Sequence, residues 1–278
     1  MQGIFQKGGI ENMLRSLLLL MLLVSLTACQ SFFKVPKEEY REEVKTLGVL
    51  PLMVDEKSTI EHPQAAEVVA MLQRHNVGRN PYLVEFLKDQ KSYFDVRTIS
   101  GDSRQLYSQL IRSRWVRKNP EGPRYHYMVA SQAASELCRQ NAVDGLLLII
   151  LNGTDRVERR WDRTHLSYLE APFNGIQASA LVVLPSGETL WEYFGLVDNP
   201  FLALQYPDFD EAHHNNTDEV PVHFVSLSGL ERALSEPGTN WFRETELSRP
   251  YQELFEELTK YLKPGFMNPF AAKAEEQQ

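Results

Sequence analysis

The apolar positions of this chain fall into short unbroken runs, separated by stretches where they recur every three or four residues. The first run, Thr46-Leu47-Gly48-Val49-Leu50-Pro51-Leu52-Met53, is closed by acidic residues, and its length and flanks predict a buried strand. Pro63 stands where a helix can begin, with Ala65, Val68, Val69 and Leu72 at helical spacing behind it. Asn80-Pro81, a cap followed by proline, predicts a second helix whose stripe is Leu83, Phe86 and Leu87. Tyr93 to Ile99 alternates and is rich in aromatic and β-branched residues, as a second strand requires. Asp102 or Ser103 caps a further helix expected to reach about Arg114. After a Pro/Gly loop from Asn119 to Pro123, another helix is expected from Tyr127, Ala130, Ala134, Leu137 and Cys138.

The clearest strand is Val143 to Leu151, whose apolar run leaves no face for water and predicts a central strand covered on both sides. Ile176 to Leu184 and Thr189 to Val197 flank Pro185-Ser186-Gly187-Glu188 and read as a hairpin. From Asp198 to about Val220 the chain is polar and acidic, and loops of such length are usually functional or mobile. Val225 to Leu234 predicts a helix. The last helix is drawn by Leu247, Tyr251, Leu254, Phe255, Leu258, Tyr261 and Leu262, before Pro264-Gly265 ends it. The order of elements predicts the α/β class: a mixed sheet whose early strands are parallel with helical crossovers, a late antiparallel hairpin, and helices packed on the sheet.

Ahead of these elements, Leu17 to Leu26 is an almost unbroken apolar run behind Arg15. A bilayer-spanning helix takes about 20 apolar residues. This run stops well short of that, which suits the apolar centre of a cleaved export signal. Leu26-Thr27-Ala28-Cys29 resembles the lipobox of bacterial lipoproteins, small residues before a Cys whose thiol carries a diacylglyceryl group. The resemblance implies lipidation of Cys29 by acyl chains of the palmitate type. Each buried CH₂ stabilises membrane attachment by about 0.8 kcal/mol, and stable anchoring takes more than one chain. Gln30 follows the Cys where Asp would hold an enterobacterial lipoprotein at the inner membrane. The expected location is therefore the bacterial cell envelope, lipid-anchored at the outer membrane and facing the periplasm. An ordinary signal peptide with a chance Cys is the competing reading, and Met13 is a second candidate start beside Met1. The polar run from Gln30 to Lys45 is expected as a flexible tether. The expected division is signal peptide 1–28, lipidated Cys and tether 29–45, α/β domain 46–264 with an acidic excursion at 198–220, and tail 265–278.

Charge narrows the partners. The chain has 29 basic and 37 acidic residues. Loss of residues 1–28, which hold Lys7, Arg15 and Glu11, leaves 27 and 36, a formal charge of −9. That argues against nucleic acid, which calls for a basic footprint. With Cys29 lipidated, Cys138 is the only free thiol, so no intramolecular disulfide is expected.

Three pieces resemble a group of periplasmic α/β lipoprotein domains. They are Leu47-Gly48-Val49-Leu50-Pro51 as first strand, Ala142-Val143-Asp144-Gly145-Leu146 leading the central strand, and Leu184-Pro185-Ser186-Gly187-Glu188-Thr189-Leu190-Trp191 as a hairpin. The group includes the curli secretion lipoprotein, the lipoprotein of Pel polysaccharide export and the amino-terminal domain of the Tol–Pal propeller protein. The resemblance spans roughly Lys45 to Leu262 and implies an envelope part that binds partners or copies of itself rather than an enzyme. The chain departs from the simplest versions in its extra helices before the second strand and in the excursion after Val197.

Two clusters suit an interface: Arg112, Arg114, Trp115 and Arg117, and Arg159, Arg160, Trp161 and Arg163. Arg and Trp concentrate binding energy because both join apolar area to directed contacts. The bland reading is that each Trp closes a small satellite core while its arginines pair with nearby carboxylates. Asp208, Asp210, His213 and His214, with Glu211, His223 and other acids nearby, are candidate ligands for zinc or a related metal. The bland reading, a solvated acidic loop, is the one expected: adjacent His residues rarely both reach one ion, and no helical H-E-x-x-H pattern is present. Ser186 and Ser228 lie in no G-x-S-x-G elbow. Cys138 falls on the apolar stripe of its helix, as a structural thiol does. No cofactor is implied. The functional expectation is a non-enzymatic, membrane-anchored lipoprotein, accessory to secretion, polymer export or envelope assembly. The alternatives are a metal-dependent hydrolase using 208–214 and a monomeric ligand-binding lipoprotein.

Overall fold

The computed structural model describes residues 32–119, 122–195, 200–240 and 243–264. The expected signal peptide 1–28, Cys29 and the whole expected tail 265–278 lie outside the described residues. The folded unit begins at Phe33, thirteen residues before the expected start at Thr46. Its first element is helix α1 (Lys37–Glu43), which corrects the expected tether. The charged run Lys37 to Glu43 hides one inward residue: Tyr40 is fully buried, its hydroxyl 2.8 Å from that of Tyr93 and its ring edge-on to Phe33. Phe33 in turn bridges Trp191, and the Lys34 amide donates to the Leu190 carbonyl at 2.8 Å.

The run Thr46 to Met53 forms two strands, β1 (Thr46–Val49) and β2 (Met53–Val54). Pro51 lacks an N–H and so breaks the ladder between them. Helices α2 (Ala65–Asn76) and α3 (Asn80–Asp89) lead to β3 (Asp95–Thr98), which lies parallel to β1. Helix α4 (Ser103–Leu110) opens on the Asp102 carboxylate, which accepts from the Gln105 amide at 2.9 Å. It stops at Leu110, not at about Arg114. Ile111 onward is strand β4 (Ile111–Asn119), paired in a hairpin with β5 (Gly122–Val129). Tyr127 therefore sits on a strand, and the helix expected to include it, α5, spans Ser131–Asn141.

Strand β6 (Gly145–Trp161) holds the centre, parallel to β1 and β2 on one side and antiparallel to β7 (Tyr168–Val183) on the other. β8 (Thr189–Tyr193) completes the order β3-β1-β6-β7-β8 of a seven-stranded mixed sheet, with β2 beside β6 and a short strand beside β7. That short strand, β9 (Leu202–Ala203), belongs to the segment expected as an acidic loop. The segment also holds β10 (Gln205–Pro207) and helix α6 (Phe209–His214), and β10 pairs with β11 (Val222–Phe224) just beyond it. The chain closes with α7 (Leu227–Ser235), the pair β12 (Pro237–Asn240) and β13 (Arg243–Ser248), and α8 (Arg249–Tyr261).

Alternation along β6 divides the core. Leu146, Leu148 and Ile150 pack with Leu106 and Leu110 of α4, Ala134 and Cys138 of α5, and Tyr125, Tyr127 and Val129 of β5. Leu147, Ile149 and Leu151, equally sealed from solvent, face the other layer, where α3 meets β1 and β3 and α8 packs on α3 and α7. A fully buried side chain of this size contributes roughly 1.5–3 kcal/mol. Burial on both faces is thus what fixes β6 at the centre. Among the described residues no helix is long and apolar enough to cross a membrane.

Candidate functional site

The long central strands outrun the sheet. β1 and β2 reach β6 only as far as Leu151, and β9 meets β7 at Gly175 and Ile176. Among the described residues, Arg156 to Trp161 and Tyr168 to Phe173 pair as strands only with one another, in a two-stranded ribbon, while the Asn174 carbonyl at its base accepts from the Leu204 amide at 3.0 Å. Opposed residues of an antiparallel pair share a face. The inner face carries Arg156 opposite Phe173, Glu158 opposite Ala171, and Arg160 opposite Leu169. Glu158 binds both arginines, at 2.6 Å to Arg156 and 2.7 Å to Arg160. Arg160 also lies 4.0 Å over the Phe173 ring and donates to the Gln205 carbonyl, which ties this face to β10.

The outer face pairs Val157 with Pro172, Arg159 with Glu170, and Trp161 with Tyr168. It is bare: Val157 is 61% exposed, Trp161 46%, Tyr168 50%, and Leu166 in the connecting turn 84%. The rings of Trp161 and Tyr168 stand 5.0 Å apart, and Arg159 lies 4.6 Å over Tyr168 while bonding Glu170 at 2.7 Å. The second Arg/Trp cluster is thus split. Arg159 and Trp161 face outward, Arg160 inward, and Arg163 reaches from the turn to Asp210 at 2.9 Å. Such an exposed ion pair contributes little to stability.

The first cluster lies on the β4–β5 hairpin, where Trp115 stacks on His126 at 5.2 Å with the planes 9° apart. His126 in turn meets Glu192 at 3.0 Å and the edge of Phe194. Arg112 and Arg117 are exposed. Arg114 turns inward to Asp55, 3.4 Å away, and donates to the Lys57 carbonyl. Asp55 is fully buried and also accepts from the Tyr127 hydroxyl at 3.2 Å and the Lys57 amide at 3.0 Å. Asn152 donates to the Tyr127 oxygen at 3.0 Å. Burial, and then the negative charge of Asp55, hold the Tyr127 phenol well above its usual range. Sequence reasoning missed this centre. Its one signal is an acid, Asp55, closing an apolar strand without a turn residue beside it. The loop after Asp55 presses on β6 at Gly153, where an added Cβ would stand 1.8 Å from the Thr59 carbonyl oxygen.

Of the metal candidates, the fold groups Asp208 with Glu211 and His223, their ligand atoms within 4.8 Å of one another. Asp210 is taken by Arg163, and His213 and His214 stay exposed on α6 outside the group. Asp208 already caps α6 through the Glu211 amide at 2.9 Å, and Glu211 bonds His223 at 2.8 Å. Cys138 is buried in the core, and burial pushes its thiol up to about 11. It stays protonated at neutral pH and is a poor nucleophile.

Compared with known proteins, the chain matches no family model, no curated protein and no solved structure. Fold and surface together define an α/β domain that extends a two-stranded ribbon with one uncovered aromatic face.

Proposed function

We propose that this chain is a lipid-anchored, non-enzymatic part of the bacterial envelope, accessory to secretion, polymer export or envelope assembly. In this reading it associates with further copies of itself through the β6–β7 ribbon. The observation that carries it is the outer ribbon face, where Arg159 and Glu170 stand side by side between apolar Val157 and Pro172 and aromatic Trp161 and Tyr168. Two such faces meeting about a twofold axis place each arginine against a glutamate and bury the aromatic residues between them. The lipobox-like run ending at Cys29 and the sequence resemblance to envelope lipoproteins are what support the envelope setting.

Light scattering on a soluble form beginning at Gln30, over a concentration series, tests the association. A discrete oligomer that dissociates in the Trp161→Ala, Leu166→Glu double variant is the expected result; a monomer at every concentration overturns self-association. Mass spectrometry of the mature N-terminus tests the anchor, and an unmodified start at any residue other than Cys29 removes it. The second reading, a metal-dependent hydrolase, is supported by the meeting of Asp208, Glu211 and His223. Its test is zinc content: stoichiometric zinc lost on His223→Ala supports it, and no bound metal counts against it.

A further inference from the structure

The outer face of the β4–β5 hairpin sets Ser113 opposite Met128, Trp115 opposite His126 and Arg117 opposite Arg124. Trp115 is 49% exposed and Met128 47%. Arg112 at the base of the hairpin and Arg117 and Lys118 near its tip are exposed, and no ion pair holds them among the described residues. Glu192, at the border of this face, is already engaged: one oxygen takes His126 at 3.0 Å and the other takes Lys34 at 2.8 Å. Bare cations thus surround a half-bare indole on a chain whose charge is otherwise acidic. An indole joins a large apolar ring to one N–H donor and settles where hydrocarbon meets water. A Lys or Arg close to an anionic lipid surface strengthens attachment by about 5-fold. The Debye length at physiological ionic strength is about 8 Å, so carboxylates elsewhere on the chain are screened from such a contact.

The path of the chain says which surface lies near. Only Glu192 and His126 stand between Lys34 and Trp115 in one run of contacts. From Lys34 back to Cys29 is five residues, which span at most roughly 18 Å when fully extended. Acyl chains on Cys29 therefore keep a bilayer within that reach of Lys34, on the side of the hairpin.

We propose that the outer face of the β4–β5 hairpin docks on the surface of an anionic phospholipid bilayer. Trp115 enters the headgroup layer, Arg112, Arg117 and Lys118 meet the lipid phosphates, and the domain is held in one orientation on its membrane. Arg114, which turns inward to Asp55, takes no part. This inference rests on the reading of Cys29 as the lipid anchor and is separate from self-association, which uses the β6–β7 ribbon.

The test supplies the anchor by chemistry, so that it reads docking whether or not the cell lipidates Cys29, a question left to mass spectrometry of the mature N-terminus. A chain beginning at Cys29 is coupled through that thiol to a maleimide-bearing phospholipid; Cys138, buried in the core, does not compete. The vesicles hold brominated phosphatidylcholine, with or without phosphatidylglycerol, and quenching of tryptophan emission reports contact. Quenching on the phosphatidylglycerol vesicles that is lost in Trp115→Phe is the expected result. The exposed pair Arg117→Gln, Lys118→Gln, which leaves the core untouched, should lower the ratio of docked to undocked chains by at least about 5-fold, and raised salt should do the same. Three results overturn the proposal: no quenching on the anionic vesicles, equal quenching on neutral ones, or quenching that vanishes when the chains are diluted on the vesicle, which marks a contact between copies instead.

Discussion

The β4–β5 hairpin and the outer β6–β7 ribbon both pair strands rich in arginine and tryptophan. Each tryptophan meets a cross-strand ring, Trp115 on His126 and Trp161 on Tyr168, and both are about half exposed, but Arg114 on the first reaches buried Asp55 whereas Arg159 on the second pairs with exposed Glu170. Composition does not separate the two. What separates them is what lies beneath: Asp55, Tyr127 and Asn152 form a polar centre that holds the hairpin on the sheet, while the ribbon has β10 under one face and nothing described over the other. An arginine with a buried acceptor in reach becomes structure. One that pairs with an exposed carboxylate stays available as surface.

The comparison can be broken most severely at Asp55. Replacing it by Ala strips Tyr127 and Arg114 of their acceptor and should lower unfolding free energy by about 3 kcal/mol in denaturant titration. The β4–β5 amides should then lose hydrogen-exchange protection before those of β6. Gly153→Ala should cost about 2 kcal/mol, since the Thr59 backbone must retreat, and overpacking of this kind is rarely absorbed. Trp115→Ala should cost about 1 kcal/mol, through the lost stack on His126. Trp161→Ala should stay within about 0.5 kcal/mol of the parent in the monomer, as surface substitutions do, while changing the mass in light scattering.

Alkaline pH sharpens the same contrast. Tyr127 and Tyr107 are both raised, chiefly by burial and then by Asp55. An acid whose folded value lies above its unfolded one contributes stability that is fully present below the unfolded value, about 10 for Tyr, and lost as pH rises through the folded one. Stability should therefore decline above about pH 10. In the Asp55→Asn variant the charge contribution to both shifts disappears, and the decline should be shallower when followed by tyrosinate absorbance.

How much of this was legible depended on whether a residue's role was local. Val143 to Leu151 announced a central strand because burial on both faces leaves an unbroken apolar run. Its continuation to Trp161 did not, because Asp155 to Arg160 alternate between exposed and buried or part-buried positions yet are almost all charged, and charge reads as loop. Tyr40 was lost among six charged neighbours for the same reason. The end of α4 at Leu110 is set by the pairing of Ile111 with Val129, a contact no short window of sequence contains. Both Arg/Trp clusters were visible as residues, but the distinction between them rests on Asp55, Phe173 and Gln205, which come from three other parts of the chain. The metal candidates show the same limit: proximity in sequence put His213 and His214 at the centre of the cluster, and the fold groups Asp208 and Glu211 with the more distant His223.

The strap formed by Phe33 and α1 has a mechanical meaning. Phe33 and Lys34 hold the edge strand β8 at a few points, among them a bridge to Trp191, a backbone hydrogen bond to Leu190 and an ion pair to Glu192 at 2.8 Å, while β1 lies between two parallel neighbours. A pull on the N-terminus would load the strap first and peel it, one contact at a time, with the Tyr40 to Tyr93 hydroxyl pair as the last latch. Beyond that latch the force would meet β1 in shear, across many bonds at once. The protein thus carries a weak link in series with a strong one, so a tug spends its work on α1 before it reaches the sheet.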